Sequence, residues 1–235
     1  MTLAQLLVVQ AHDTAIDQLV HRRATLPERE ALVQIDEERQ FLDEQRATLD
    51  GERHEHQRVQ ERIEDEVAMV EERYGSESAR LYSGTVTAHK DLEAIQHELE
   101  SLERRQRTLE DQVLEVMEEV EPITAQIAEI DTKLASVAER HSAASASLAD
   151  SEAEIAAQID AEEQQRKEIV AAIDPGLMQE YESARAQCGG IGVSRLVNKQ
   201  CEGCRLQLSA VKYDRMRKQP PDTLAWCDCG RILVA

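Results

Sequence analysis

The sequence predicts an all-α fold, a long kinked antiparallel coiled-coil hairpin, followed by a small C-terminal β domain built around paired cysteines. Three observations carry this. The 235 residues include one Phe, one Trp and four Tyr, too few aromatic side chains for the core of a compact domain of this length. Apolar residues make up 41% of the chain, too many for plain disorder, and over most of it they recur with a coiled-coil period. All five Cys lie after residue 187, four of them in two tight pairs. Nine Gly and five Pro also argue against a loop-rich, all-β or doubly wound fold.

Taken in order, the first helix runs from about Leu3 to Arg23, with Leu6, Val9, Ile16, Leu19 and Val20 on its apolar side. Thr25-Leu26-Pro27-Glu28 reads as a helix restart. Thr25 caps, Glu28 bonds back, and Pro27 suits a first turn. The second helix is expected to reach about Arg73. One of its rows is Ile35, Leu42, Leu49, a lapse at His56, Ile63 and Val70. The companion row is Leu32, Arg39, Arg46, Arg53, Gln60, Val67 and Tyr74, so half of that seam is ionic. Between Tyr74-Gly75 and Thr85 the heptads stop, which predicts a tip at about residues 75–87. Tyr82, Ser83, Gly84, His89 and Lys90 are the candidate contact residues there.

From about His89 a third helix carries the cleanest periodicity. Its rows are Leu92, Leu99, Gln106, Val113, Val120, Ile127, Leu134, His141, Leu148, Ile155 and Ile95, Leu102, Leu109, Val116, Ile123, Ile130, Val137, Ala144. Sixteen of these eighteen positions are apolar, which specifies a coiled-coil seam and not a generic amphipathic face. Pro122 lies off the seam, where it bends the helix without emptying the interface. Two arms of matched length around a turn predict one chain folded back on itself over residues 1–174. A parallel homodimer would leave the turn without purpose, while pairing of whole hairpins stays compatible with a monomer or a hairpin-mediated dimer. The predicted register sets Leu42 opposite Glu119. The stems of Arg39, Arg46 and Arg53 then either lie along the apolar row, with their heads reaching Glu110 and Glu119 beside Gln106, or the three stand solvated outside the seam.

Asp174-Pro175-Gly176 closes the long helix, and Pro175 opens a short one through Arg185. Residues 175–235 form the second expected domain, with composition turning to strand and turn at Gly189-Gly190-Ile191-Gly192-Val193. Cys201-Glu202-Gly203-Cys204 is followed, after 22 intervening residues, by Cys227-Asp228-Cys229-Gly230-Arg231. Two cysteine knuckles at this separation are the ligand pattern of a C4-type zinc ribbon, with one structural Zn2+ per chain held by Cys201, Cys204, Cys227 and Cys229. A domain this small needs the ion to fold, and four protein ligands leave no position for water activation. The second knuckle is Cys-x-Cys. Trp226 stands where regular spacing would place the ligand, and Cys188 is a conceivable substitute.

Together these residues resemble a family: bacterial coiled-coil proteins with a C-terminal C4-type zinc ribbon, grouped under a domain of unknown function. The resemblance rests on Asp17 with Leu19, Leu26-Pro27-Glu28, Leu81-Tyr82-Ser83-Gly84, Lys90-Asp91-Leu92 and Gln96-His97-Glu98. It continues through Tyr181-Glu182, Gly189-Gly190, Cys201-x-x-Cys204 and Cys229-Gly230-Arg231-Ile232-Leu233. It implies a kinked helical hairpin bearing a zinc ribbon. It also implies adaptor or chaperone roles toward sigma factors and secretion or flagellar components, and RNA binding in some members. The family's second knuckle is Cys-x-x-Cys, so this chain departs there.

Charge separates the function classes. The chain carries a formal −20, yet residues 176–235 hold nine Lys or Arg against six Asp or Glu. Nucleic acid, if bound, binds near the C-terminus, because the acidic remainder repels phosphates. The candidate contact residues are Arg195, Lys199, Arg205, Lys212, Arg215, Arg217, Lys218 and Arg231, the stretch 212–218 lying on a short helix from near Ser209. Tyr213 and Trp226 are either stacking or packing residues. Gly189-Gly190-Ile191-Gly192 lacks the spacing of a dinucleotide loop, and His54-Glu55-His56 points its imidazoles apart on a helix surface. The Glu pairs of the helices are solvated faces. No small-molecule substrate is expected, and the chain reads as no enzyme. The N-terminus lacks a basic segment and a long apolar run, and no stretch approaches a membrane span, which predicts a cytoplasmic protein. The expected function is a non-enzymatic adaptor, scaffold or chaperone-like protein that meets protein partners through ribbon and tip. The alternative is RNA or DNA binding through the basic face of the ribbon.

Overall fold

Long stretches of Ala, Leu, Glu, Gln and Arg leave little choice but helix, and helix dominates the structure. The structure, a computed structural model, describes residues 3–220 and 223–234. Its elements are α1 (Ala4–Ala24), α2 (Pro27–Tyr82), α3 (His89–Val170), α4 (Pro175–Gln187), β1 (Val193–Val197), β2 (Gln200–Cys201), α5 (Ala210–Lys218) and β3 (Ile232–Val234). Among the described residues no helix is long and apolar enough to cross a membrane. The chain divides into two compact units, Leu32–Ala143 and the pair of segments Met1–Ala31 and Ala144–Ala235.

In the unit Leu32–Ala143, α2 and α3 form an antiparallel coiled-coil hairpin. The direction is written in the pairs that cross the seam: Arg140 to Glu38 at 2.6 Å, Arg46 to Asp131 at 2.6 Å, His56 to Glu119 at 3.1 Å, Arg105 to Glu66 at 2.9 Å and Arg73 to Glu98 at 2.6 Å. As residue numbers rise on α2 they fall on α3. Leu42 packs with Ile130 and Val137, while Ile63 packs with Leu109 and Val116. Leu109 and Val137 are almost wholly buried. Each such side chain contributes roughly 1.5–3 kcal/mol, whereas the exposed ion pairs are worth about 0–1 kcal/mol each.

Four local expectations are corrected. The second helix does not stop near Arg73 but continues through Gly75 to Tyr82, so the connection is residues 83–88. A single glycine costs a helix only about 1 kcal/mol. The Tyr74 hydroxyl on Glu103 and the Glu77–Arg80 pair lie on either side of it. The helix ends at Ser83, whose hydroxyl donates to the Arg80 carbonyl at 2.8 Å. The register shifts with the tip: Leu42 meets Ile130 and Val137, not Glu119, which pairs with His56. The ionic half-seam is therefore different. Arg39 and Arg53 bind Asp36 and Asp50 on their own helix, and among the three only Arg46 is seen to reach across, to Asp131. Gln106 bonds Glu71 and Glu110. Thr25 does not cap α2, because only Leu26 separates it from Pro27. Its hydroxyl turns back to the His21 carbonyl at 3.0 Å, while Glu28 accepts from Ser151 at 3.2 Å.

In the other unit, α1 lies against the end of α3, α4 and the small sheet. Leu6, Val9, Ile173, Met178, Tyr181, Val193 and Ile232 form its core, with Trp226 packed against it. Leu26, Ile155 and Ile159 form a second cluster beside Ile16, Leu19 and Leu148. Asp174 caps α4 by accepting from the Leu177 N–H at 3.0 Å, with Pro175 in the first turn, as the sequence predicts. The sheet order is β2-β1-β3, β1 being antiparallel to β2 and parallel to β3.

A benzophenone amino acid at position 46 should insert into the peptide around Asp131 of the same chain. Capture of peptides near residue 115, which the earlier register would oppose to it, or capture only between chains, would refute this pairing.

Candidate metal centre

The first knuckle grows out of the β1–β2 hairpin. Cys201 ends β2, and its carbonyl accepts from the Arg205 N–H at 2.7 Å, which closes the turn over Glu202-Gly203-Cys204. The Gly203 N–H donates to the Ser194 hydroxyl at 2.7 Å. Gly203 has no room for a side chain, since a Cβ there would lie 2.6 Å from Cδ of Arg231. The second knuckle precedes β3. The Cys227 N–H donates to the Arg231 carbonyl at 2.8 Å, and the Gly230 N–H to the Cys227 carbonyl at 3.1 Å. Gly230 sits at φ 86°, a left-handed conformation that glycine adopts without strain. This tight turn brings both sulfurs of the Cys-x-Cys knuckle to one side.

The outcome is convergence. The ligand atoms of Cys201, Cys204, Cys227 and Cys229 all lie within 4.8 Å of one another, with Cys204 and Cys227 sulfurs 3.7 Å apart. Cys201 and Cys227 are buried, Cys204 and Cys229 half-buried. Among the described residues this is the one such group of Cys, His, Asp and Glu. His54-Glu55-His56 is no part of it. Cys188 stays outside, its thiol donating to the Cys229 carbonyl at 3.2 Å. Trp226, in the place of a regular ligand, belongs to the apolar core next to it.

Four convergent thiols need positive surroundings to ionise, and the fold supplies them unevenly. Burial works to raise Cys229, but the Arg231 guanidinium at 3.5 Å and the Arg231 backbone bring it down to about 6. Burial likewise opposes ionisation of Cys201, yet the Cys204 and Gly203 N–H groups and the Ser194 hydroxyl hold it below the usual thiol range. Burial pushes Cys227 up to about 12. A soft divalent cation would displace the remaining protons, so the donor set fits a thiolate-bound metal.

The eight basic candidates do not form one face. Arg231 is engaged with the cysteines, also donating to the Cys188 carbonyl at 3.1 Å. Lys212 pairs with Asp228. Lys199 and Arg217 converge on Tyr213, 5.2 and 6.0 Å from its ring centre. Arg195, Arg205, Arg215 and Lys218 are exposed. At the tip, Tyr82 is 82% exposed, and Ser83, Gly84, His89 and Lys90 are exposed with it.

The sequence assigns no role to the residues that seat the ribbon, although Asp17, Tyr181 and Gly190 carry part of the resemblance. Gln10, 7% exposed, accepts from the Gly192 N–H at 2.6 Å and donates to the Gly190 carbonyl at 2.8 Å. Asp13, 3% exposed, accepts from the Tyr181 hydroxyl at 2.6 Å and from Arg166 at 2.7 Å. Arg185 clasps Asp17 at 2.7 Å. The available signal was the placement of Gln10, Asp13 and Asp17 on or beside the apolar face of α1.

Residues 9–189 match the family described as the CT398-like coiled coil hairpin domain. No curated protein matches. A solved structure from Mycobacterium smegmatis is similar at 26% identity, over 98% of this chain and 97% of its own, with a TM-score of 0.86. CT398 from Chlamydia trachomatis is 19% identical over 98% and 95%, with a TM-score of 0.68. The HP0958 protein from Helicobacter pylori is 15% identical over 99% and 96%, with a TM-score of 0.52. The last two likenesses show the fold alone. The family match ends before the first knuckle, so the metal centre rests on the cysteine geometry.

In metal-free protein at pH 7, Arg231→Gln should slow alkylation of Cys229 by roughly tenfold, as its thiol returns toward the ordinary range. An unchanged rate would show that Arg231 does not hold the thiolate.

Proposed function

This chain belongs to the family of CT398-like coiled coil hairpin domains, and we propose that it is a non-enzymatic adaptor. It binds protein partners through its ribbon and its hairpin tip, and it works in the cytoplasm. The observation that carries this reading is apolar surface left outside the seam and the cores. Leu206 follows the first knuckle at 63% exposed, Val211 opens α5 at 73%, and Tyr82 stands at the tip. An exposed tyrosine is a common anchor for a partner, and Leu206 and Val211 add apolar surface on the ribbon.

The ribbon carries one structural Zn2+, held by Cys201, Cys204, Cys227 and Cys229. The ion supplies a crosslink between the two knuckles in place of an extended core. With every ligand drawn from the protein, it holds no substrate position, and the role of these residues is to shape the surface around Leu206 and the β1–β2 turn. The second reading, RNA or DNA binding, draws on the exposed Arg195, Arg205, Arg215 and Lys218. It is weakened by the engagement of Lys212 and Arg231 within the ribbon.

Purified protein should contain about one zinc, retained by Cys188→Ser and lost by a Cys227→Ser, Cys229→Ser pair. Less than about 0.2 equivalents in the parent would exclude this centre. As bait in nuclease-treated lysate, the chain should capture the same proteins as in untreated lysate. Leu206→Glu with Val211→Glu should lose them while keeping zinc. Capture that vanishes with nuclease would instead support the nucleic-acid reading.

A further inference from the structure

A cleft of about 490 Å³ opens in the ribbon's own unit, between the β1–β2 turn and α5. Leu196, Met216 and Leu233 give it an apolar lining, and Lys199, Arg217 and Tyr213 form its polar side. Two cations meet there over one aromatic ring. Like charges gathered beside an apolar lining are complementary to an acidic ligand with an apolar anchor.

The lysine is held there at a conformational cost. Asn198 and Lys199 join β1 to β2 as a two-residue turn, with φ 50° and 68°. A turn of this hand favours glycine at its second position, because a Cβ crowds the backbone there. Lysine occupies it instead, its carbonyl fixed by the Leu208 N–H at 2.8 Å and its ammonium carried over Tyr213. Strain of this kind, in a residue that turn formation alone would not choose, points to use of the side chain.

We propose that this cleft is the docking site for an acidic peptide segment of a protein partner. An apolar side chain of that segment fills the floor, and its carboxylates face Lys199 and Arg217. The proposal rests on the adaptor reading and adds a contact on the ribbon besides Leu206 and Val211, which do not line the cleft. Peptide suits the cleft better than nucleic acid for two reasons. A phosphate backbone gains nothing from the Leu196, Met216 and Leu233 floor. The Tyr213 ring, already attended by two cations, is not an open platform for a base.

The test is fluorescence anisotropy on the full chain with a labelled octapeptide of glutamates around a central leucine, and with its glutamine counterpart. The acidic peptide should bind and the glutamine peptide should not. Lys199→Gln with Arg217→Gln should weaken binding by roughly tenfold or more, while Arg195→Gln with Arg215→Gln should change it by less than about twofold. Lys199→Gly separates use from architecture: it relieves the turn, so the ribbon should melt no lower, yet peptide binding should fall. No binding by the parent, an unchanged affinity in the Lys199, Arg217 pair, or equal loss in the Arg195, Arg215 pair would overturn the cleft assignment. Displacement of the peptide by an RNA octamer of equal charge at equal concentration would overturn it in favour of a phosphate site. If the Lys199, Arg217 variant still captures the nuclease-resistant proteins, this site is wrong and the adaptor reading stands. Capture that vanishes with nuclease removes the adaptor reading whatever the peptide does.

Discussion

The buried carboxylate of Asp13 is the constraint on which the ribbon's unit depends. It lies on α1 at 3% exposure and receives the Tyr181 hydroxyl from α4 and the Arg166 guanidinium from α3. A carboxylate taken out of water is costly unless it is paired and hydrogen-bonded, and here it is both. Arg166 also reaches Glu182, and Arg185 comes back to Asp17, so α1, α3 and α4 meet in one charged knot. Burial and the bond to Asp13 raise Tyr181 far above the ordinary phenol range, which keeps it a donor at any physiological pH. Breaking such a network by removing one partner typically costs about 3–5 kcal/mol. One turn away on α1, Gln10 takes the backbone groups at Gly190 and Gly192 that lead into β1. The sheet that carries the cysteines is thus seated by polar groups of the first helix.

The hairpin obeys a different economy. Its seam is apolar and its flanks are ionic, with crossing pairs at Arg46, Arg73, Arg105 and Arg140. These pairs are largely exposed and contribute little to stability one by one. They matter for alignment, because a seam with an apolar residue every few positions tolerates a slip of one heptad, and a charge set against a like charge does not. His56 shows the same logic: it lapses from the apolar row and faces Glu119.

At the cysteine cluster, local geometry brings the four thiols together while the electrostatics favour Cys229 and Cys201 over Cys227. The tight turn at Gly230 makes Cys-x-Cys sufficient, and the missing side chain at Gly203 admits Arg231 beside Cys229. The same arginine is thereby withdrawn from any outward-facing basic patch. What remains outward is unevenly distributed: Lys199 and Arg217 at a cleft with an apolar floor, and Leu206 and Val211 in solvent. A domain this small has few core side chains, and several of its apolar residues stay in solvent.

Much of this was legible in the amino-acid sequence by itself. The period of the third helix, the restart at Pro27, the cap at Asp174, the helix after Ser209 and the four cysteines each follow from local chemistry, and each has its counterpart in the structure. Register was not legible, because a heptad repeat specifies which face is buried and leaves open which heptad it meets. With Gly75 tolerated inside α2 the tip moves to residues 83–88, and Leu42 meets Ile130 and Val137 instead of Glu119. Nor was the role of Gln10, Asp13 and Asp17, whose partners lie some 150 or more residues away along the chain. The cleft at Lys199 is more local, yet the β1–β2 turn had to be folded against α5 before Lys199 and Arg217 could share the Tyr213 ring. Local sequence determined what each segment becomes, and long-range packing decided which polar groups meet, because burial sets the worth of a charge and only the folded chain sets burial.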